Sequence, residues 1–224
     1  MKESTITVTG LGCIKVTPDV TRIELNLVSL HDDYNEAYEQ AKINTEMLAK
    51  IMDEASIDTQ LPKTVNLDIE KKTESIYKHG NYNGEKFLGF ELTHKVKIDL
   101  GMDNRILTKV LHLIGQYLRQ AEINILHTVN DPRPCQKRML EQAVKDAKEK
   151  ATIMATACGC RLGNILDIDY SFQEMHIYST SHRLSEPAYL GTCADRSLDI
   201  NPDDIDCTDN VKVVWQLLNM PSGR

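Results

Sequence analysis

Thr21-Arg22-Ile23-Glu24-Leu25-Asn26-Leu27 alternates polar and aliphatic side chains without interruption. A period of two places Ile23, Leu25 and Leu27 on one buried face of a strand and Arg22, Glu24 and Asn26 on the other. The next hundred residues set the fold class. Asp33 with Glu36 three residues on reads as the start of a helix, and Tyr34, Ala37, Ala41, Leu48, Ile51 and Ala55 share one helical face. Val65, Leu67 and Ile69 then return to alternation, a turn-rich His79-Gly80-Asn81-Tyr82-Asn83-Gly84 intervenes, and Phe90, Leu92, Val96, Ile98 and Leu100 resume it. Asp103 caps a second helix with Ile106, Val110 and Ile114 on one face, and Ile123 and Ile125 mark a short strand. The order is β-α-β-β-α-β, the split motif of ferredoxin-like sheets, in which two helices cover one face of an antiparallel sheet.

Towards the N-terminus, Ile6, Val8, Ile14 and Val16 alternate around Gly10-Leu11-Gly12, a strand with a glycine bend, and Pro18-Asp19 predicts a hairpin into the strand at Ile23. Towards the C-terminus, Asp131-Pro132 signals a third helix that Gly159 ends, roughly 40 Å long at 1.5 Å per residue. Ala143, Ala147, Ala151 and Ala155 recur every four residues along it, a stripe of small side chains suited to close packing. Ile165 to Phe172 and Val211 to Leu217 read as two further strands. Residues 173–208 between them lack periodicity and read as a binding arm or a mobile excursion. The expected fold is α+β, antiparallel sheets covered by helices. It forms a single domain over residues 1–224 that can divide into a central part, 33–130, and an outer part made of 1–32 with 131–224.

At 224 residues the chain can bury one substantial core or two small ones. A net charge of −7 opposes the positive field that a nucleic-acid backbone requires, so no nucleic-acid partner is expected. The greasiest stretch, Ile106 to Leu118, is interrupted by Lys109, His112 and Gln116, so no transmembrane segment is expected, and Met1-Lys2-Glu3-Ser4 is not followed by the apolar run of a leader. The chain reads as soluble and cytoplasmic. Cys13, Cys135, Cys158, Cys160, Cys193 and Cys207 are expected as reduced thiols in a chain too long to need disulfide staples.

Gly10-Leu11-Gly12-Cys13-Ile14-Lys15-Val16-Thr17-Pro18-Asp19 resembles the opening of the SIMPL-domain family, whose bacterial members are called YggE-like. Further landmarks of that family come in order. These are Ala41 and Asn44 in the first helix, Tyr77 through Gly84 to Gly89-Phe90 as a central hairpin, and Asp131-Pro132 before a long helix with Ala143, Asp146-Ala147, Ala151 and Gly159. Arg161-Leu162-Gly163 then leads into a strand. Ser56 stands where a glycine often closes the first helix, and many bacterial relatives are exported. The resemblance implies an α+β fold, homo-oligomers, an association with oxidative-stress defence, and no established catalytic residue.

No constellation of catalytic or metal-binding residues stands out. The His-Glu-x-x-His and Gly-x-Ser-x-Gly patterns are absent, and Gly10-Leu11-Gly12 lacks the third glycine of a dinucleotide fingerprint, so no cofactor is expected. Cys158-Gly159-Cys160 lacks a second pair at zinc spacing, and Cys158 is expected in the core as a continuation of the third helix's apolar face. Cys135, in the first turn of that helix, is the candidate reactive thiol, because the positive end of a helix favours thiolate. His94 and Trp215 are read as interior. Asp199 to Asp204 has alternating oxygen donors but lacks the glycine and glutamate of a calcium loop, and reads as solvated. Tyr77, Tyr82, Phe87 and Phe90 gather about the central hairpin as candidate interaction residues, to be weighed against ordinary sheet packing. The functional expectation is a non-enzymatic protein that self-associates. The alternative is a thiol redox sensor or a small-molecule binder of unknown ligand.

Overall fold

The computed structural model describes residues 4–78, 80–170, 177–179, 182–184 and 200–219. Their order is β1 (Thr5–Val16), β2 (Val20–His31), α1 (Tyr34–Ala55), β3 (Lys63–Lys78), β4 (Asn81–Gly101), α2 (Asn104–Tyr117), β5 (Glu122–Thr128), α3 (Arg133–Ala157), β6 (Cys160–Asp169), β7 (His182–Leu184) and β8 (Ile205–Asn219). The protein is α+β, with one sheet ordered β1-β8-β6 and another ordered β3-β4-β2-β5-β7, and every strand pair is antiparallel.

Two units result. One gathers Met1–Pro18, Val129–Tyr178 and Asp203–Arg224; the other gathers Asp19–Thr128 and Ser179–Pro202. The expected hairpin between β1 and β2 does not form. β1 pairs along its whole length with β8, from Thr5 opposite Gln216 to Val16 opposite Ile205, while β2 lies between β4 and β5. Pro18, which fixes its own φ and cannot donate a backbone hydrogen bond, sits at the point where the chain leaves one sheet for the other. The boundary expected at residue 33 therefore falls at Pro18/Asp19.

In the five-stranded unit, Ile23 and Leu25 of β2 meet Val96 and Ile98 of β4 in register, with Ile123 and Ile125 of β5 on the far side. Leu48, Ile51 and Met52 of α1 and Leu107, Leu111 and Ile114 of α2 close this face, and nearly all of these side chains are fully buried. Each buried aliphatic side chain contributes about 1.5–3 kcal/mol. Both helix starts follow from short acidic caps, since Asp33 accepts from the Asn35 N–H and Asp103 from those of Arg105 and Ile106. Ser56 ends α1 in the left-handed conformation at φ +63°, the one non-glycine among the described residues to do so. That is the role a glycine fills without strain.

The three-stranded unit packs differently. Ala143, Ala147, Ala151 and Ala155 of α3 are wholly buried, and Val8, Val211, Val213 and Trp215 meet the alanine ladder. A Cβ on Gly10 would lie 2.0 Å from the Ala143 carbonyl oxygen, and one on Gly12 would lie 2.0 Å from that of Met139. The glycine break in β1 is thus the groove that lets α3 lie against the strand backbone. α3 starts at Arg133 after Pro132, one residue later than the reading with proline inside the helix, and Asp131 accepts the Arg133 N–H. Gly159, at φ +69°, ends it.

Candidate functional site

β4 is longer than its neighbour β2, which ends opposite Phe90. Asn81 to Gly89 therefore pair with β3 alone, and with Lys72 to Lys78 they form a two-stranded arm. The expected loop of residues 79–84 shrinks, because Asn81 already pairs with Lys78. Register shifts interrupt the arm between Lys72 and Thr73 and between Ser75 and Tyr77, and such bulges increase local twist. Gly89 at its root has φ +138°, and a side chain there would meet the His31 carbonyl oxygen at 2.4 Å.

The four aromatic candidates divide at this root. Tyr77 and Tyr82 are 65% and 60% exposed and stack edge to face across the strands at 6.2 Å. Phe87 is 44% exposed, lies 5.4 Å from Phe90, and has the Lys71 ammonium over its ring. Phe90 turns inward and packs on the cluster of Ala37, Ala41 and Leu92, with Tyr34 at 5.9 Å. The first three form an apolar surface on the arm, whereas Phe90 anchors it.

Cys135 is the third residue of α3 and is half-buried. It packs on a cluster that contains Ile14, Val16, Met139 and the buried Cys207. Burial, and then the proximity of Cys135, pushes the Cys207 thiol above its ordinary pKa. Cys158 is exposed, not buried: α3 ends one residue earlier, so the apolar face does not reach it. Cys160 opens β6 with its sulfur 3.8 Å from the Cys158 carbonyl oxygen. Cys193 lies outside the described residues.

His94 and Trp215 are interior, at 2% and 3% exposure. His94 Nε2 meets the Thr64 hydroxyl at 3.1 Å, and burial holds its pKa below the usual imidazole value. Asp199 of the acidic loop lies outside the described residues, as does most of the 173–208 stretch. Within that stretch Asp204 accepts from the Thr17 hydroxyl at 2.7 Å. Among the described residues no three His, Cys, Asp or Glu side chains are grouped to hold a metal ion, and no helix is long and apolar enough to cross a membrane.

Sequence reading missed one feature. β2 has twelve residues and β5 seven, so β5 covers only Val20 to Asn26 and stops. Beside the uncovered end lies a cleft of about 710 Å³, walled by α1, the last turn of α2 and the segment leading into β5. The shortness of the Ile123-Ile125 alternation was the available signal.

A family model named SIMPL and described as a protein of unknown function (DUF541) matches residues 6–215. No curated protein matches.

Proposed function

The chain belongs to the SIMPL family, and from that premise we propose that it is a non-enzymatic protein that works by self-association, with the arm of β3 and β4 as the docking element. The observation that carries this reading is the exposure of Tyr77, Tyr82 and Phe87 together on a two-stranded extension. Aromatic side chains are costly to leave in water, and they supply much of the binding energy where subunits meet. The β3 edge of the arm is protected by bulges and by charged residues such as Lys71, Lys72 and Glu74. Open-ended strand pairing is thereby discouraged, and the contact is left to the aromatic side chains. Light scattering across a concentration series tests this: a Tyr77→Ser/Tyr82→Ser/Phe87→Ser variant should fall to the monomer mass at concentrations where the parent is oligomeric. A parent that is monomeric throughout sinks the proposal.

A second reading, the thiol sensor linked to oxidative-stress defence, is favoured by the packing of Cys135 against Cys207 in one cluster. Hydrogen peroxide would take two electrons and two protons from the pair, forming the disulfide and itself being reduced to two waters. Differential thiol labelling should show both sulfurs protected after peroxide treatment and neither in Cys135→Ser. Unchanged labelling of the parent removes this reading.

A further inference from the structure

Each exposed sheet edge is a row of unpaired backbone donors and acceptors, and folded proteins block such rows. Among the described residues, the edges of β1, β3, β6 and β5 are each blocked in an identifiable way. On β1 the Leu11 N–H donates to Asp146 Oδ2 at 2.7 Å and the Cys13 N–H to Gln142 Oε1 at 3.2 Å, so α3 side chains occupy the edge. β3 carries three register shifts and charged residues of both signs; β6 carries two register shifts. On β5, β7 pairs with Ile123 to Ile125, and Ser179 then takes both backbone groups of His127.

Among the described residues, none of these devices meets Leu27-Val28-Ser29-Leu30-His31. It pairs with β4 in unbroken register from Leu27 opposite His94 to His31 opposite Phe90. On its other side, no strand among the described residues pairs with it beyond Asn26. The segment holds no Lys, Glu, Asp or Pro, and Leu30 is 52% exposed. Alternate residues therefore aim their N–H and C=O groups into the cleft of about 710 Å³. Five residues give roughly 17 Å of edge, and the cleft volume falls within the range of ligand sites.

The lining indicates the chemistry of an occupant. Gln40, Asn44, Gln116 and Gln120 supply amides that can both donate and accept. Among the described residues Arg119 is the only one lining the cleft with a fixed charge, no carboxylate lines it, and Arg119 is in none of the ion pairs. A cationic, amide-lined cleft in a chain of net charge −7 selects for an anion on the ligand.

The geometry points to strand addition: the cleft takes an extended peptide segment of a partner protein, paired by its backbone with Leu27–His31 and held by a carboxylate, from a side chain or a C-terminus, on Arg119. Backbone pairing supplies the affinity and the carboxylate sets the register. The site is separate from the aromatic arm, and its failure leaves the assembly reading untouched.

The test uses the full chain and an array of fluorescent peptides about seven residues long, alternating valine and threonine, with one glutamate stepped through each position. Saturable binding by members of the array is expected. It should weaken by about tenfold or more when alternate peptide nitrogens are methylated, which removes the donors of one edge, and comparably in Arg119→Ala. Leu30→Lys, at an exposed side chain, should abolish binding while leaving the thermal midpoint of the protein in place. The proposal is overturned if no member binds saturably, or if methylated and parent peptides bind alike. It is also overturned if sedimentation shows Leu30→Lys turning a dimer into a monomer, which would assign the edge to a second copy of this chain.

Discussion

The two units solve the same problem, covering one face of an antiparallel sheet with helix, by opposite means. The five-stranded unit fills a wide gap with large aliphatic side chains from two helices, Ile51, Met52, Leu107, Leu111 and Ile114 among them. The three-stranded unit closes the gap instead, bringing one helix so near the sheet that Gly10 and Gly12 have room for a hydrogen and nothing more. A core built from volume fails when volume is removed. A core built from contact fails when volume is added.

The largest expected effect tests that contrast on the contact side. Gly10→Val should cost about 4 kcal/mol or more, because the new carbon meets the Ala143 carbonyl oxygen and the Ala147 nitrogen, both backbone. Trp215, the only tryptophan, lies in this unit and reports its unfolding by fluorescence. A loss under about 1 kcal/mol would mean that α3 can lift off without penalty, and the contrast would be void. On the volume side, Ile98→Ala in the other unit should cost about 2–5 kcal/mol by urea denaturation. Ile23→Val, which removes a single carbon there, should cost about 1 kcal/mol. An Ile23→Val loss as large as that of Gly10→Val would show that the two cores respond alike.

Acid should separate the units further. His94 has its pKa lowered by burial, so its contribution to the five-stranded unit is fully present above the unfolded value of 6.5 and is lost as pH falls below it. Asp146 has its carboxyl pKa lowered by its bond to Lys150 and then by the Leu11 N–H. Its contribution to the three-stranded unit therefore persists above 3.8 and is lost only as pH falls through the lower folded value. Between these limits, far-UV circular dichroism should register destabilisation before Trp215 fluorescence does, and His94→Gln should remove the gap. Coincident transitions at every pH would refute the assignment. The smallest effect belongs to the end of α1: Ser56→Gly, at φ +63°, should raise stability by up to about 1 kcal/mol, and a decrease would show that the serine is held by more than its backbone.

Legibility differs between the units in a way that reflects their physics. The alanine ladder, the helix-ending Gly159 and the acidic caps of α1 and α2 are local patterns, and they appear where the sequence puts them. The partner of β1 is not local. β1 and β2 alternate alike, and many strands with one apolar face can pair, so adjacency in the chain points to a hairpin while the true partner, β8, begins at residue 205. Cys158 departs from its expected place for a related reason: helical phase says which face it would occupy, but not that the helix stops before it. Of the candidate site, the aromatic cluster is visible by composition, whereas the separation of Phe90 from Tyr77, Tyr82 and Phe87 depends on where β2 ends.

By itself the amino-acid sequence determined the class of the protein, its three helices and every described strand except β7, its family and the small-residue face of α3, because period, caps and turn residues act over a few neighbours. Only the tertiary structure decided that Gly10 and Gly12 lie under α3, that the chain changes sheets at Pro18, and that no strand among the described residues pairs with the cleft side of Leu27–His31. Those facts depend on strands of unequal length meeting across long stretches of chain, and no local pattern encodes which edges remain without a partner.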